Sequence, residues 1–147
     1  EELIEAKEQA YRALLIHLEL IPGALSFIQR AYRVFKLALT TSSVRQDQRI
    51  AFDRFDLDQY FEAIVTAEDI KRSKPHPEPY LITAGRLGVD SGRCLVVEDS
   101  LNGVRSGVAA GCVVAGMTTS FDEVKLSSAG AHFTVDTFEE LVARLGI

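Results

Sequence analysis

An α/β fold, with a parallel sheet flanked by helices on both faces, is the architecture this sequence predicts. Three observations carry the prediction. Short aliphatic runs rich in β-formers alternate with helical stretches of roughly ten residues. VFKLALT (Val34 to Thr40) and CLVVE (Cys94 to Glu98) are apolar almost throughout, as in strands covered on both sides. No repeat, low-complexity tract or linker breaks the alternation, and 147 residues suffice for one domain with its own core.

The elements follow in order. Glu1 to Leu18 reads as a helix, because Tyr11, Leu14, Leu15 and Leu18 share helical spacing and Glu1, Glu2 and Glu5 suit the positive end of its dipole. Ile21-Pro22-Gly23 stops it, and Ala24 to Tyr32 forms a second helix. Val34 to Thr40 is the first strand. Thr40 to Ser43, four hydroxyl residues, leads into a helix from Val44 to Phe52, with Ser42 or Ser43 as its natural cap. A short helical turn precedes a short strand, Ala63 to Thr66. KRSKPHPEPY (Lys71 to Tyr80) is basic and broken by three prolines; Pro77 suits the first turn of a helix that ends near Gly88. Cys94 to Glu98 is a strand, Ser100 to Ala110 a helix closed by Gly111, and Cys112 to Ala115 another buried strand. His132 to Val135 is a last short strand, and Asp136 with Glu139 is spaced as the capping box of a final helix.

Composition narrows the function classes. The chain is 47% hydrophobic and 25% charged, an ordinary globular balance. Its net charge of -5 argues against nucleic acid and anionic membrane surfaces as partners. No apolar run is long enough to span a bilayer, and the acidic start is unlike a secretory or mitochondrial leader, so a cytoplasmic location is expected. Cys94 and Cys112 sit in or beside apolar runs and read as free thiols in a reducing compartment. The chain opens inside a helix, and its one methionine is Met117.

Ligands of open parallel sheets bind beyond the carboxyl ends of the strands. After the first strand come Thr41 and Ser42; after the second, by way of a loop, Lys74; after the third, Glu98 and Asp99. Each has a plainer reading. The hydroxyls cap a helix or hold an anion, Lys74 is solvated surface or a site cation, and one acid caps the next helix or both grip a cation. Adjacent carboxylates repel, and a divalent ion relieves that; hard oxygen ligands suit Mg²⁺. Together the three strand ends describe a phosphate site. Gly103 and Gly107 read as close helix–sheet packing rather than a dinucleotide motif. His76 is a loop residue or touches a leaving group, Tyr80 and Leu81 read as helix core, and His17 and His132 lack partners for a zinc site.

LALTTSS, SKPHPEPYL and CLVVEDSLNGVRSGVAAG together resemble the haloacid dehalogenase superfamily, in its β-phosphoglucomutase-like and sugar-phosphatase branch. The resemblance runs from about Ile21 to the end of the chain. It implies a Rossmann-like core over residues 21–147, with residues 1–20 as the last helix of a cap region. It implies that Thr41, helped by the backbone N–H of Ser42, binds the transferring phosphoryl group. Lys74 would balance charge on the phosphate and the nucleophile, and Asp99 would bind Mg²⁺, with Glu98 binding directly or through water. The family's nucleophile belongs to a D-x-D-G-T motif on a first strand, and that motif does not occur in this chain. The nucleophile, most of the cap and the central strand are then expected upstream of Glu1, in the same protein or as a separate chain. The implied activity is a phosphatase acting on a small phosphorylated metabolite. A phosphosugar mutase, a receiver-like phosphate-binding module and a catalytically inert binding fragment are the alternatives.

Overall fold

The computed structural model describes residues 2–147. Helix α1 is Glu2–Leu15 and α2 is Ala24–Ala31. Strand β1, Ala38–Thr40, leads to α3, Arg45–Phe55, and β2, Ala63–Val65, to α4, Glu78–Leu87. Then come β3 (Leu95–Glu98), α5 (Leu101–Ala109), β4 (Val113–Met117), α6 (Glu123–Ser128), β5 (Phe133–Val135) and α7 (Phe138–Leu145). All pairings are parallel, as the sequence predicts, but they fall into two groups: β1 with β2, and β3-β4-β5. Among the described residues no strand joins β1 to β3.

Helices cover both faces of the larger group. Val96 and Val114 point toward α5, where a Cβ on Gly107 would come within 2.8 Å of Val114 and 3.3 Å of Val96, so glycine sets the close approach. Val104 and Leu126 fill the same side. On the other side Ala115, Met117, Val135 and Leu141 pack against α2 and α7, with Phe27 and Phe138 5.2 Å apart between ring centroids. Helix α4 ties the two groups together. Thr83 hydrogen-bonds Thr40 of β1 (2.7 Å), Arg86 donates to the Ile64 carbonyl of β2 (2.6 Å), and Tyr80 reaches the end of β3.

Several boundaries differ from expectation for local reasons. Residues 34–37 are not strand: the N–H groups of Val34 and Phe35 fold back on the Ala31 carbonyl and extend the end of α2 as a turn. Neither Ser42 nor Ser43 caps α3. The cap position is Val44, with no side-chain cap of its own, and the Glu68 carboxylate accepts the Arg45 N–H from across the fold (2.9 Å). The acids at the end of β3 do not cap α5 either, because Ser100 does, accepting from Gly103 N–H at 3.0 Å. Thr137, not Asp136, caps α7. Helix α6 has no counterpart among the elements expected from the sequence; Asp122 caps it and its one buried residue is Leu126. Helix α1 ends at Leu15 rather than Leu18, and Leu3, Ile4, Tyr11 and Leu14 lie exposed on it. No helix among the described residues is long and apolar enough to cross a membrane.

Candidate functional site

The carboxyl ends of β1 and β3 are bridged by one side chain. Lys74 reaches in from the loop before α4, and its Nζ donates to the Thr40 carbonyl (3.2 Å) and to Glu98 Oε1 (2.5 Å). The Lys74 and Glu98 side chains are only 11% and 9% exposed, so this is a buried ion pair rather than a solvated contact. Such a pair offsets its desolvation only when the remaining lone pairs are also satisfied. Here they are: Tyr80 Oη donates to the same Oε1 at 2.5 Å, and the Ser100 hydroxyl and N–H reach Oε2 at 3.1 and 3.4 Å. Burial pushes the Glu98 carboxyl up, but the Lys74 charge and the hydrogen bonds from Lys74, Tyr80 and Ser100 outweigh it, leaving Glu98 below its ordinary value and ionised at neutral pH. Burial and the neighbouring Glu98 charge push the Tyr80 phenol far upward, so it stays a donor.

Local sequence makes room for this carboxylate. A Cβ on Gly103 would lie 2.0 Å from Glu98 Cδ and 2.2 Å from both carboxylate oxygens. Ser100 fixes the geometry by accepting from Gly103 N–H while donating to Glu98. Asp99, half-buried, has a different partner: its Oδ2 accepts from Ser120 in the loop after β4 (2.7 Å).

Thr41 follows Thr40 directly; its N–H continues the ladder to the Val65 carbonyl (2.9 Å) and its Oγ1 accepts from Ser43 N–H (3.1 Å). Ser42 is exposed and makes no side-chain hydrogen bond among the described residues. The loop carrying Lys74 is braced. Ser106 donates to the His76 carbonyl (2.6 Å), His76 Nδ1 accepts from Glu78 N–H (3.1 Å), and Glu78 accepts from Lys71 N–H (2.6 Å). Lys71, Arg72, Ser73, Pro75 and His76 line an open depression of about 560 Å³ beside it. The structure therefore joins Lys74 to Glu98 and to the end of β1, with Asp99 and Thr41 adjacent in the chain. His132 is occupied structurally, its Nδ1 accepting from Val114 N–H (3.0 Å).

Two residues of the site escape the sequence reading. Tyr80 passes for helix core, and only the polar tip of an otherwise apolar ring hinted that it needs a buried partner. Gly103 passes for helix–sheet packing, which is the role Gly107 actually has. As for a metal, no three acidic, histidine or cysteine groups converge among the described residues. The donor set still suits a hard cation. Mg²⁺ takes one or two protein carboxylates and keeps its water or substrate phosphate; Asp99, whose Oδ2 alone is engaged, offers such an oxygen at a strand end, while both Glu98 oxygens are already taken by Lys74, Tyr80 and Ser100.

Comparison with known proteins identifies a family for the chain. The model of the haloacid dehalogenase-like hydrolase family matches residues 1–117. Pyrophosphatase PpaX of Bacillus pumilus is 33% identical over 115 residues, which are 78% of this chain and 53% of that protein. A phosphorylated carbohydrates phosphatase of Thermotoga maritima is 34% identical over 129 residues, 86% of this chain and 59% of that one. The crystal structure of a HAD family hydrolase from Deinococcus radiodurans, with bound phosphate and sodium, superposes with a TM-score of 0.81 at 27% identity, over 97% of this chain and 66% of that one. The chain spans about half the length of the curated relatives it matches. On its matched length and its fold, it belongs to the haloacid dehalogenase-like hydrolases.

Proposed function

We propose that the complete protein is a Mg²⁺-dependent phosphatase of small phosphorylated metabolites, sugar phosphates first among them. The nucleophilic aspartate would lie upstream of Glu1. The observation that carries this reading is the buried Lys74–Glu98 pair between the ends of β1 and β3. Phosphoryl transfer depends on positioning and on neutralising spread negative charge, and a lysine held at a strand end supplies both. Lys74 balances charge on the phosphoryl oxygens and on the attacking carboxylate. Thr41, whose oxygen already accepts from Ser43, has its own O–H left to donate to the phosphoryl group, and the Ser42 N–H would help it. Asp99 would hold Mg²⁺, with Glu98, whose oxygens are bound by Lys74, Tyr80 and Ser100, contributing through water; when bound, the ion supplies further neutralisation of the phosphoryl charge. The names of the relatives, a pyrophosphatase and a phosphorylated carbohydrates phosphatase, support a phosphorylated substrate.

The proposal extends to the sheet. The inner edges of β1 and β3 lack a strand partner among the described residues, yet Lys74 spans from one to the other. Strands pair at about 4.8 Å from each neighbour, and one strand from the upstream segment, paired with both inner edges, would join the two groups. Its carboxyl end would bring the nucleophile to Lys74.

The test is an assay of the protein with its upstream segment against pyrophosphate, phosphoglycolate and a panel of sugar phosphates in Mg²⁺. Phosphate release is expected. Lys74→Met should lower kcat/KM by about 100-fold or more, and Asp99→Asn should abolish stimulation by Mg²⁺. Interconversion of phosphosugars without phosphate release would replace the phosphatase by a mutase. Absence of both phosphate release and phosphosugar turnover would sink the enzyme reading.

A further inference from the structure

The geometry points to Tyr80 as a positioning residue that aims Lys74 at the phosphoryl group, an inference that rests on the function proposed above. Tyr80 touches both members of the ion pair with different parts of its side chain. Its hydroxyl donates to Glu98 Oε1 at 2.5 Å, the same oxygen that Lys74 Nζ holds at 2.5 Å. Its ring lies under the ammonium, with Nζ 4.9 Å from the centroid. A cation is drawn to the negative face of an aromatic ring, most strongly where water is excluded, and Tyr80 is 8% exposed.

The consequence is a fixed direction for a flexible side chain. A lysine has four rotatable carbons and a charge that any nearby acceptor can take. Three contacts leave Nζ little choice here: the Thr40 carbonyl, Glu98 Oε1 and the Tyr80 ring. The hydroxyl does the second half of the work, holding Oε1 in line with Nζ while Ser100 holds Oε2. Tyr80 is itself anchored by α4, whose Thr83 bonds Thr40 at 2.7 Å and the Pro79 carbonyl at 2.8 Å. Tyr80 reaches the reacting atoms only through Lys74 and Glu98.

Tyr80→Phe removes the hydroxyl and keeps the ring, which makes it the informative change. The protein with its upstream segment is assayed well below its unfolding midpoint, with circular dichroism confirming that each variant is folded. Tyr80→Phe is expected to lower kcat/KM about tenfold, the size of a hydrogen bond to a charged group, and to weaken binding of inorganic phosphate measured by calorimetry. In a Lys74→Met background the same change is expected to alter kcat/KM less than about twofold, since a residue acting through Lys74 has nothing left to aim. A purely structural tyrosine would move the unfolding midpoint and leave this coupling at zero. Equal losses in the two backgrounds, or a Tyr80→Phe enzyme as active as the parent, would overturn the inference while leaving the phosphatase reading intact. A parent protein that neither hydrolyses phosphate esters nor binds phosphate overturns both.

Discussion

Two glycines four residues apart on α5 look alike in the sequence and do different things. Gly107 admits Val96 and Val114, an apolar fit of helix on sheet. Gly103 admits the Glu98 carboxylate, and an alanine there would put its methyl 2.0 Å from Glu98 Cδ. Both substitutions overpack, and each is expected to cost about 1–3 kcal/mol of stability in urea unfolding. They should separate in activity. Gly103→Ala displaces the partner of Lys74 and lowers kcat/KM, whereas Gly107→Ala, measured where it is still folded, keeps it close to the parent value. The same attention to environment explains the cysteines. Both are free thiols, and burial pushes Cys94 upward and Cys112 up to about 11, which keeps them protonated and poorly nucleophilic at neutral pH.

Among the elements, the turn after β2 shows how a cap can arrive from elsewhere in the chain. Residues Ala67–Asp69 form a 3-10 turn with a reciprocal capping box between Thr66 and Asp69. Asp69 also takes Arg86 of α4 (2.8 Å) and Arg45 of α3 (2.9 Å), so one carboxylate joins two helices to the strand end. The Arg86 guanidinium and the Thr66 N–H and hydroxyl hold it far below the usual carboxylate range. A carboxyl depressed in the folded state stabilises fully above its unfolded pKa of about 3.9 and loses that contribution as pH falls toward its folded value. The parent protein should therefore lose stability progressively below about pH 4. Asp69→Asn should lose about 1–3 kcal/mol at pH 7 and show a flatter acid limb, both read from urea midpoints between neutral and acidic pH. If the acid limb is unchanged, Asp69 does not carry it.

At the scale of the whole molecule, the divided sheet and the exposed apolar side chains of α1 have one proposed explanation, a segment upstream that supplies a strand and covers that helix. Leu3 is 88% exposed and Leu14 69%, far more than large aliphatics in a finished core. Hydrogen exchange tests this by element. Amides of residues 38–40 and 95–98 should exchange faster in residues 1–147 alone than in the protein with its upstream segment, and the unfolding midpoint should rise by at least about 5 °C on adding the segment. Identical protection in the two proteins would remove the strand proposal.

Strand ends, hydroxyl run, lysine loop and acid pair were all legible as local patterns, because apolar runs and their polar terminators are written into neighbouring residues. The α/β class with parallel pairing follows from the same periodicities. Tertiary structure alone decided how those patterns meet. Lys74 lies 24 residues from Glu98, Tyr80 18 residues from it, and Glu68 23 residues from the helix start it caps. Such contacts depend on how α4, the loop before it and the turn after β2 pack on the rest of the fold, a through-space arrangement that no local spacing encodes. For the same reason the adjacent acids, alike in the sequence, take different partners in the fold: Glu98 a buried lysine and Asp99 a serine.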